Sequence, residues 1–399
     1  MLMTVAKMKH TPTQTVDLSY RRCLETLTPN VAAELLRYGK SRPGVISLAQ
    51  GEGDLPTPEF IRDAATKAMA EGYTNYGPAL GYPELRQEIA NYHARLYGQN
   101  LPTNRIFVTP SGTNAVHMAL LSLLNDGDEI ITVTPIWKNL IGIIELAQGS
   151  IKDVPMDEVD GKWSLDMNKL LNACTNRTKA ILLATPNNPT GWTMALDDMR
   201  TLMEFARHRG IWIIADEVYG RCTYDSPRAP SFLEVSEPED RLFIVNSFSK
   251  SWAMTGWRLG WLIGPADAEN RIRDLSLYEV LCPPSFVQMA GIAALRHGED
   301  FIVEQKQHWA KNLDMIMDRF AKLDRVHMTR PDATFYAFFR VDGEPDSMAL
   351  ARRLIDEAGV SLAPGASFGS CCAQHLRLCF GASQGLMNEA LDRIEPILR

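Results

Sequence analysis

Between Arg105 and Gly264 the chain alternates short, mostly apolar runs with longer stretches whose apolar positions recur every three or four residues. The short runs are Ile106–Val108, Glu129–Val133, Ile151–Val154, Ala180–Ala184, Ile211–Ala215 and Leu242–Asn246. They are rich in β-branched residues and do not alternate with polar ones, which predicts strands buried on both faces. The periodic stretches Thr113–Leu124, Leu140–Ala147, Asp166–Leu171 and Leu196–His208 predict helices between them. Alternation of this kind implies an α/β fold, a mostly parallel sheet sandwiched by helices. Ligands of such sheets bind beyond the carboxyl ends of the strands.

The flanking regions read differently. Residues 1–30 are polar and unpatterned, as in an extended arm. Asn30 suits the cap of a helix over Val31–Tyr38, with Glu34 near its positive end and Gly39 and Pro43-Gly44 closing it. Val45–Leu48 is a short strand, and two glycines, an aspartate and a proline make Gly51–Pro56 a loop. Helices are predicted over Pro58–Met69 and Pro83–Tyr97, separated by a turn-rich loop that carries Tyr73, Tyr76 and Tyr82. Beyond Gly264, helices are expected at Asp267–Tyr278, Phe286–Leu295 and Glu304–Leu323. Thr334–Val341, a helix over Ser347–Ala358, Val360–Leu362 and Leu376–Phe380 then suggest a smaller α+β domain.

Composition narrows the function. With 399 residues, 45% of them hydrophobic and 22% charged, the chain resembles an ordinary soluble enzyme in make-up. A net charge of −7 argues against a nucleic-acid partner. No apolar run reaches membrane-spanning length, and the N-terminus lacks the apolar core of a secretory signal. The seven cysteines are scattered apart from Cys371-Cys372 and show no metal-ligand spacing, so reduced thiols in a cytoplasmic protein are expected.

Polar residues with chemical potential gather where the strands end. Asn246–Trp261 follows the run Leu242–Val245 and carries Ser247, Ser249, Lys250, Ser251, Thr255 and Arg258. A lysine at the end of a buried strand must be paired, neutralised or covalently used. The hydroxyls and Arg258 suit a phosphate; a solvated loop is the plainer alternative. Asp216 ends another strand and needs a cationic or proton-donating partner. That partner is either Mg²⁺ or a cationic ring nitrogen. Mg²⁺ in a nucleotide hydrolase requires a companion glycine-rich loop, and neither Gly39-Lys40 nor Gly161-Lys162 has the upstream glycine. Thr185–Gly191, with two asparagines and two prolines, is a tight turn that also presents an amide to the cleft. Ser111-Gly112-Thr113-Asn114 opens a helix, where free backbone N–H groups favour an anion. Arg377, on a strand-like stretch, either faces solvent or offers a fork to a carboxylate.

Taken in order, Asn187–Gly191, Asp216–Tyr219, Ser247–Lys250, Gly256–Gly260 and Arg377 resemble the pyridoxal-phosphate aminotransferases of fold type I, class I/II. The likeness runs from about Leu48 to Phe380. It implies that Lys250 forms the Schiff base with pyridoxal 5'-phosphate and shuttles the proton, and that Asp216 keeps the pyridine nitrogen protonated. It further implies that Asn188 and Tyr219 bond the ring hydroxyl, and that Ser111, Gly112, Thr113, Ser247, Ser249 and Arg258 hold the phosphate. Trp137 would stack on the ring, Tyr76 would reach the phosphate of a neighbouring subunit, and Arg377 would clamp the substrate carboxylate beside the Gly51 backbone. The implied architecture is an arm and part of the small domain over 1–45, a large cofactor domain over 46–290 and a small domain over 291–399. The implied partners are an L-amino acid, a 2-oxo acid and a second copy in a homodimer.

Four positions depart from the family pattern. Gly53 stands where proline is common, Thr185 where asparagine is often seen, and Trp192 where smaller residues are usual. Thr113 stands where an aspartate-preferring subgroup has lysine, which weakens an aspartate assignment. The motifs serve a transaminase and a carbon–sulfur β-lyase alike, because both need Lys250 and Asp216. A regulatory sensor on this scaffold would carry a DNA-binding domain, for which residues 1–40 are too short.

Overall fold

The computed structural model describes residues 20–159 and 162–399; most of the expected N-terminal arm lies outside them. Seven strands build the main sheet: β1 Ile106–Thr109, β2 Glu129–Thr134, β3 Ser150–Pro155, β4 Thr178–Ala184, β5 Trp212–Asp216, β6 Leu242–Ser247 and β7 Gly260–Ile263. Their spatial order is β1-β7-β6-β5-β4-β2-β3. The pairs β2–β3, β2–β4, β4–β5 and β5–β6 are parallel. β7 runs antiparallel between β1 and β6.

The central strands β4, β5 and β6 are almost continuously apolar because both faces are covered; β3, expected to be buried on both faces, lies at the sheet edge and leaves Ser150 and Asp153 exposed. Ile181, Leu183, Ile213, Ala215 and Ile244 pack into one core, while Ala180, Leu182, Ile214, Phe243 and Val245 pack into another. The pleat sends successive side chains to opposite faces, so one run fills two cores. Each fully buried isoleucine or leucine here is worth roughly 1.5–3 kcal/mol. The parallel strands deliver their carboxyl ends, Ala184, Asp216 and Ser247, to one edge.

A second, antiparallel sheet consists of Val326–Met328, Tyr336–Val341, His375–Cys379 and Ala363–Pro364, in that order. It has its own core, which includes Leu350, Leu354, Leu376, Leu378 and Leu391. The N-terminal segment joins this part of the molecule, since Ile46-Ser47 pairs with Val360-Ser361.

Several elements differ from the sequence reading. The helix expected over Glu304–Leu323 spans Glu299–Phe320, and the one expected over Ser347–Ala358 turns into a wider π-helical turn at Leu354. The antiparallel pair of Asp157–Val159 with Lys162–Ser164 and the C-terminal helix Gln384–Leu398 are additional. Pro396 sits in the last turn of that helix, where breaking one bond costs little of its length. No helix among the described residues is long and apolar enough to cross a membrane.

Candidate active site

The carboxyl edge of the main sheet opens into a cavity of about 970 Å³. Every site residue predicted from sequence lines it except Tyr76, which is 83% exposed and lies elsewhere on the surface.

One end of the cavity gathers a helix start, two serines and an arginine. The loop after β1 leads into the helix Gly112–Leu123, capped by Ser111, whose hydroxyl accepts the Asn114 N–H at 3.0 Å. The positive end of this helix faces the cavity. Close approach to β7 makes this possible: a Cβ on Gly260 would lie 2.6 Å from the Gly112 nitrogen. Ser247 and Ser249 stand opposite, their hydroxyls 3.0 Å apart and buried. Arg258 adopts φ 56°, donates to the Thr255 carbonyl at 2.7 Å and keeps its side chain exposed.

Lys250 sits deeper. Its Nζ donates to the Gly51 carbonyl at 2.6 Å and lies 5.8 Å from the Tyr219 ring centroid and 5.9 Å from that of Phe335. Burial lowers its pKa, and the Arg377 charge adds to that effect. Asp216, 7% exposed, accepts the Val218 N–H at 3.2 Å. Burial pushes its carboxyl up to about 6, against the opposing pull of that N–H and of Lys250. The Tyr219 hydroxyl is 2.7 Å from the Tyr336 hydroxyl, and burial raises both phenols above their ordinary range.

Arg377 closes the other end. Nη1 donates to Asn188 Oδ1 at 2.8 Å and Nη2 to the Ala49 carbonyl. The guanidinium carbon lies 4.4 Å from the Tyr336 ring centroid and 4.9 Å from that of Phe368. Its Nε is buried without a hydrogen-bond partner, an arrangement suited to an incoming carboxylate. Asn187 does not join Asn188 at the cavity: it donates to the Pro135 carbonyl and accepts from Thr190, which holds the turn.

The structure refines one expectation and adds two residues. The Gly51 carbonyl engages Lys250, whereas the carbonyl beside Arg377 belongs to Ala49. Tyr336 and Phe368 escaped the sequence reading because each looks like an ordinary core aromatic. A signal for Tyr336 exists in retrospect: Gly51 must be glycine, since a Cβ there would come within 2.2 Å of the Tyr336 hydroxyl.

Known proteins resemble the chain over most of its length. The sequence profile described as aminotransferase class I and II matches residues 43–394. An aspartate aminotransferase of Pyrococcus horikoshii is 31% identical over 368 residues, covering 92% of this chain and 93% of that protein. An aromatic-amino-acid aminotransferase of Thermococcus litoralis is 30% identical over 380 residues, with 94% and 97% covered. The crystal structure of an aspartate aminotransferase from Thermotoga maritima superposes with a TM-score of 0.88 at 32% identity, covering 95% of this chain and all of that one. By sequence over nearly its full length, and by fold, the chain belongs to the class I and II aminotransferases.

Proposed function

We propose that the protein binds pyridoxal 5'-phosphate at Lys250 and moves an amino group from an L-amino acid to a 2-oxo acid. The observation that carries this reading is Lys250 itself, a half-buried amine of lowered pKa in a cavity that the opening turn of a helix and the buried Asp216 carboxyl also line.

The residues present fit the cofactor. Asp216 is a buried carboxyl with one backbone donor, and a protonated ring nitrogen supplies the counter-charge it lacks. The opening N–H groups of Gly112 and Thr113, with Ser111, Ser247, Ser249 and Arg258, suit a phosphate. Trp137 lines the cavity and is the aromatic that would pack on the ring. Bound there, the cofactor supplies an aldehyde carbon and a ring that accepts electrons.

The chain's own groups do the rest. Lys250, its pKa lowered by burial, would take the proton from the substrate Cα and later release it. Tyr219 and Asn188, fixed by Tyr336 and Arg377, orient the ring hydroxyl edge. Arg377 takes the α-carboxylate and so sets the Cα–H bond relative to Lys250. Tyr76 would complete the phosphate site of a second copy, making a homodimer with shared active sites. The large domain spans 46–290 and the small one 291–399, with 1–45 contributing an arm and part of the small domain. Borohydride reduction of the cofactor-loaded protein, followed by peptide mapping, should place the label on Lys250. A label on another lysine, with Lys250 free, ends this reading.

A further inference from the structure

Cys371 and Cys372 are adjacent in the helical turn Ser370–Cys372, just before the strand that carries Arg377. Among the described residues all seven cysteines are free thiols, and Cys371 is the exposed one. Cys372 is fully buried. The turn thus shows one sulfur to solvent and keeps the next inside. Cys371 lies where the two sheets meet, its Sγ 3.9 Å from the hydroxyl of Thr134 at the end of β2.

The two thiols act on each other. A hydrogen bond from Cys372 pulls the Cys371 thiol down to about 7, against the desolvation its neighbours impose. The same contact, with burial, pushes Cys372 up. Near neutral pH the outer sulfur is therefore a nucleophile and the inner one keeps its proton. Burial raises the thiols of Cys174, Cys222 and Cys379, so they compete poorly for an oxidant.

The packing of Cys372 decides the consequence. Its Sγ lies 3.2 Å from the Gly365 carbonyl and 3.3 Å from that of Gly369. It belongs to a small cluster with Ala49, Phe338, Ala363 and Phe368. Ala49 supplies the carbonyl that receives Arg377 Nη2, and Phe368 the ring on which the guanidinium lies. Cys372 is thus one of the supports of the Arg377 anchor.

We propose that Cys371 and Cys372 are a reversible oxidation site for hydroperoxides, and that closing their disulfide loosens Arg377. The Cys371 thiolate attacks the peroxide: an S–O bond forms, the O–O bond breaks, and the other oxygen leaves as hydroxide or alkoxide. The Cys372 sulfur then attacks the sulfenic sulfur, the S–O bond breaks, and the departing hydroxide takes the thiol proton as water. The two sulfurs give up two electrons and the peroxide gains them. Adjacent Cα atoms are about 3.8 Å apart, below the roughly 4.4–6.8 Å usual across a disulfide. The bridge therefore distorts the turn, draws Cys372 from its cluster and is readily reduced. The effect on Arg377 rests on the aminotransferase reading of the site; the oxidation site does not.

The test treats the cofactor-loaded protein with hydrogen peroxide. Peptide mapping should find Cys371 bridged to Cys372, and dithiothreitol should reopen the bond. Calorimetry with 3-phenylpropionate and succinate, carboxylates without an amino group, should show binding weakened by about tenfold after oxidation, the loss of one hydrogen bond to a charged group, and restored by dithiothreitol. The cofactor absorbance should not change. Cys371→Ser should abolish both the bridge and the sensitivity. A bridge to another cysteine, overoxidation of Cys371 without a bridge, or no reaction of the pair overturns the oxidation site and leaves the aminotransferase reading untouched. A bridge that leaves carboxylate binding unchanged overturns the link to Arg377. A protein that binds neither carboxylate before oxidation overturns the aminotransferase reading and that link with it, while the mapped bridge still decides the oxidation site.

Discussion

Replacing Arg377 by lysine keeps a positive charge at the far end of the cavity but removes the planar fork. In the structure that fork does three things at once. It donates to Asn188 at 2.8 Å and to the Ala49 carbonyl, it stacks between Tyr336 and Phe368, and it leaves Nε unpartnered. A lysine ammonium can replace one of those hydrogen bonds and cannot stack as a plane. A hydrogen bond to a charged group is worth about 1.5–3 kcal/mol, and a desolvated cation on an aromatic face about 2. Loss of one carboxylate contact alone should thus lower kcat/KM by at least about tenfold, or roughly 1.4 kcal/mol; loss of the stack as well brings it to about three orders of magnitude. Steady-state kinetics with an amino acid and with a simple amine lacking a carboxylate separate the causes. The amino acid should lose far more than the amine, because only it uses the fork. Equal losses for the two would refute the reasoning and leave Arg377 a structural residue.

Two further outcomes are expected. Glu217 accepts from the Ser231 hydroxyl at 2.6 Å and the Phe232 N–H at 2.9 Å, and burial pushes its pKa from 4.5 up to about 8. Between those values the folded chain holds a proton that the unfolded chain has lost, so stability falls as pH rises, by at most about 1.4 kcal/mol per unit from this group. Glu217→Gln is uncharged at every pH and lacks that slope; its Oε1 can still accept the Phe232 N–H, while its amide N–H must donate to Ser231 Oγ. In denaturant titrations at several pH values it should gain on the parent protein as pH rises toward 8, and a pH-independent difference would exclude this account. Because Tyr76 is exposed and remote from its own cavity, sedimentation at working concentration should show a dimer, and a fully active monomer would refute the shared site.

The sequence by itself determined the layers and marked where the candidate chemistry gathers. Strands buried on both faces must be apolar throughout, so β4, β5 and β6 were legible as runs, and their polar endings marked the ligand edge. Lys250 and Asp216 stood out because an ionisable group beside such a run demands a partner. Local spacing encodes periodicity and punctuation, and these features are local. Only the tertiary structure decided who meets whom. Lys250 finds the Gly51 carbonyl across 199 residues, and Arg377 finds Asn188 across 189. The antiparallel place of β7, between β1 and β6, also depends on pairing with distant strands that its own sequence does not name. Tyr336 and Phe368 read as core residues in sequence, because an apolar side chain carries no sign of whether it will face a core or a cavity. Folding of the second sheet against the first makes that choice, by bringing the Arg377 strand over the carboxyl edge and leaving the space between unfilled.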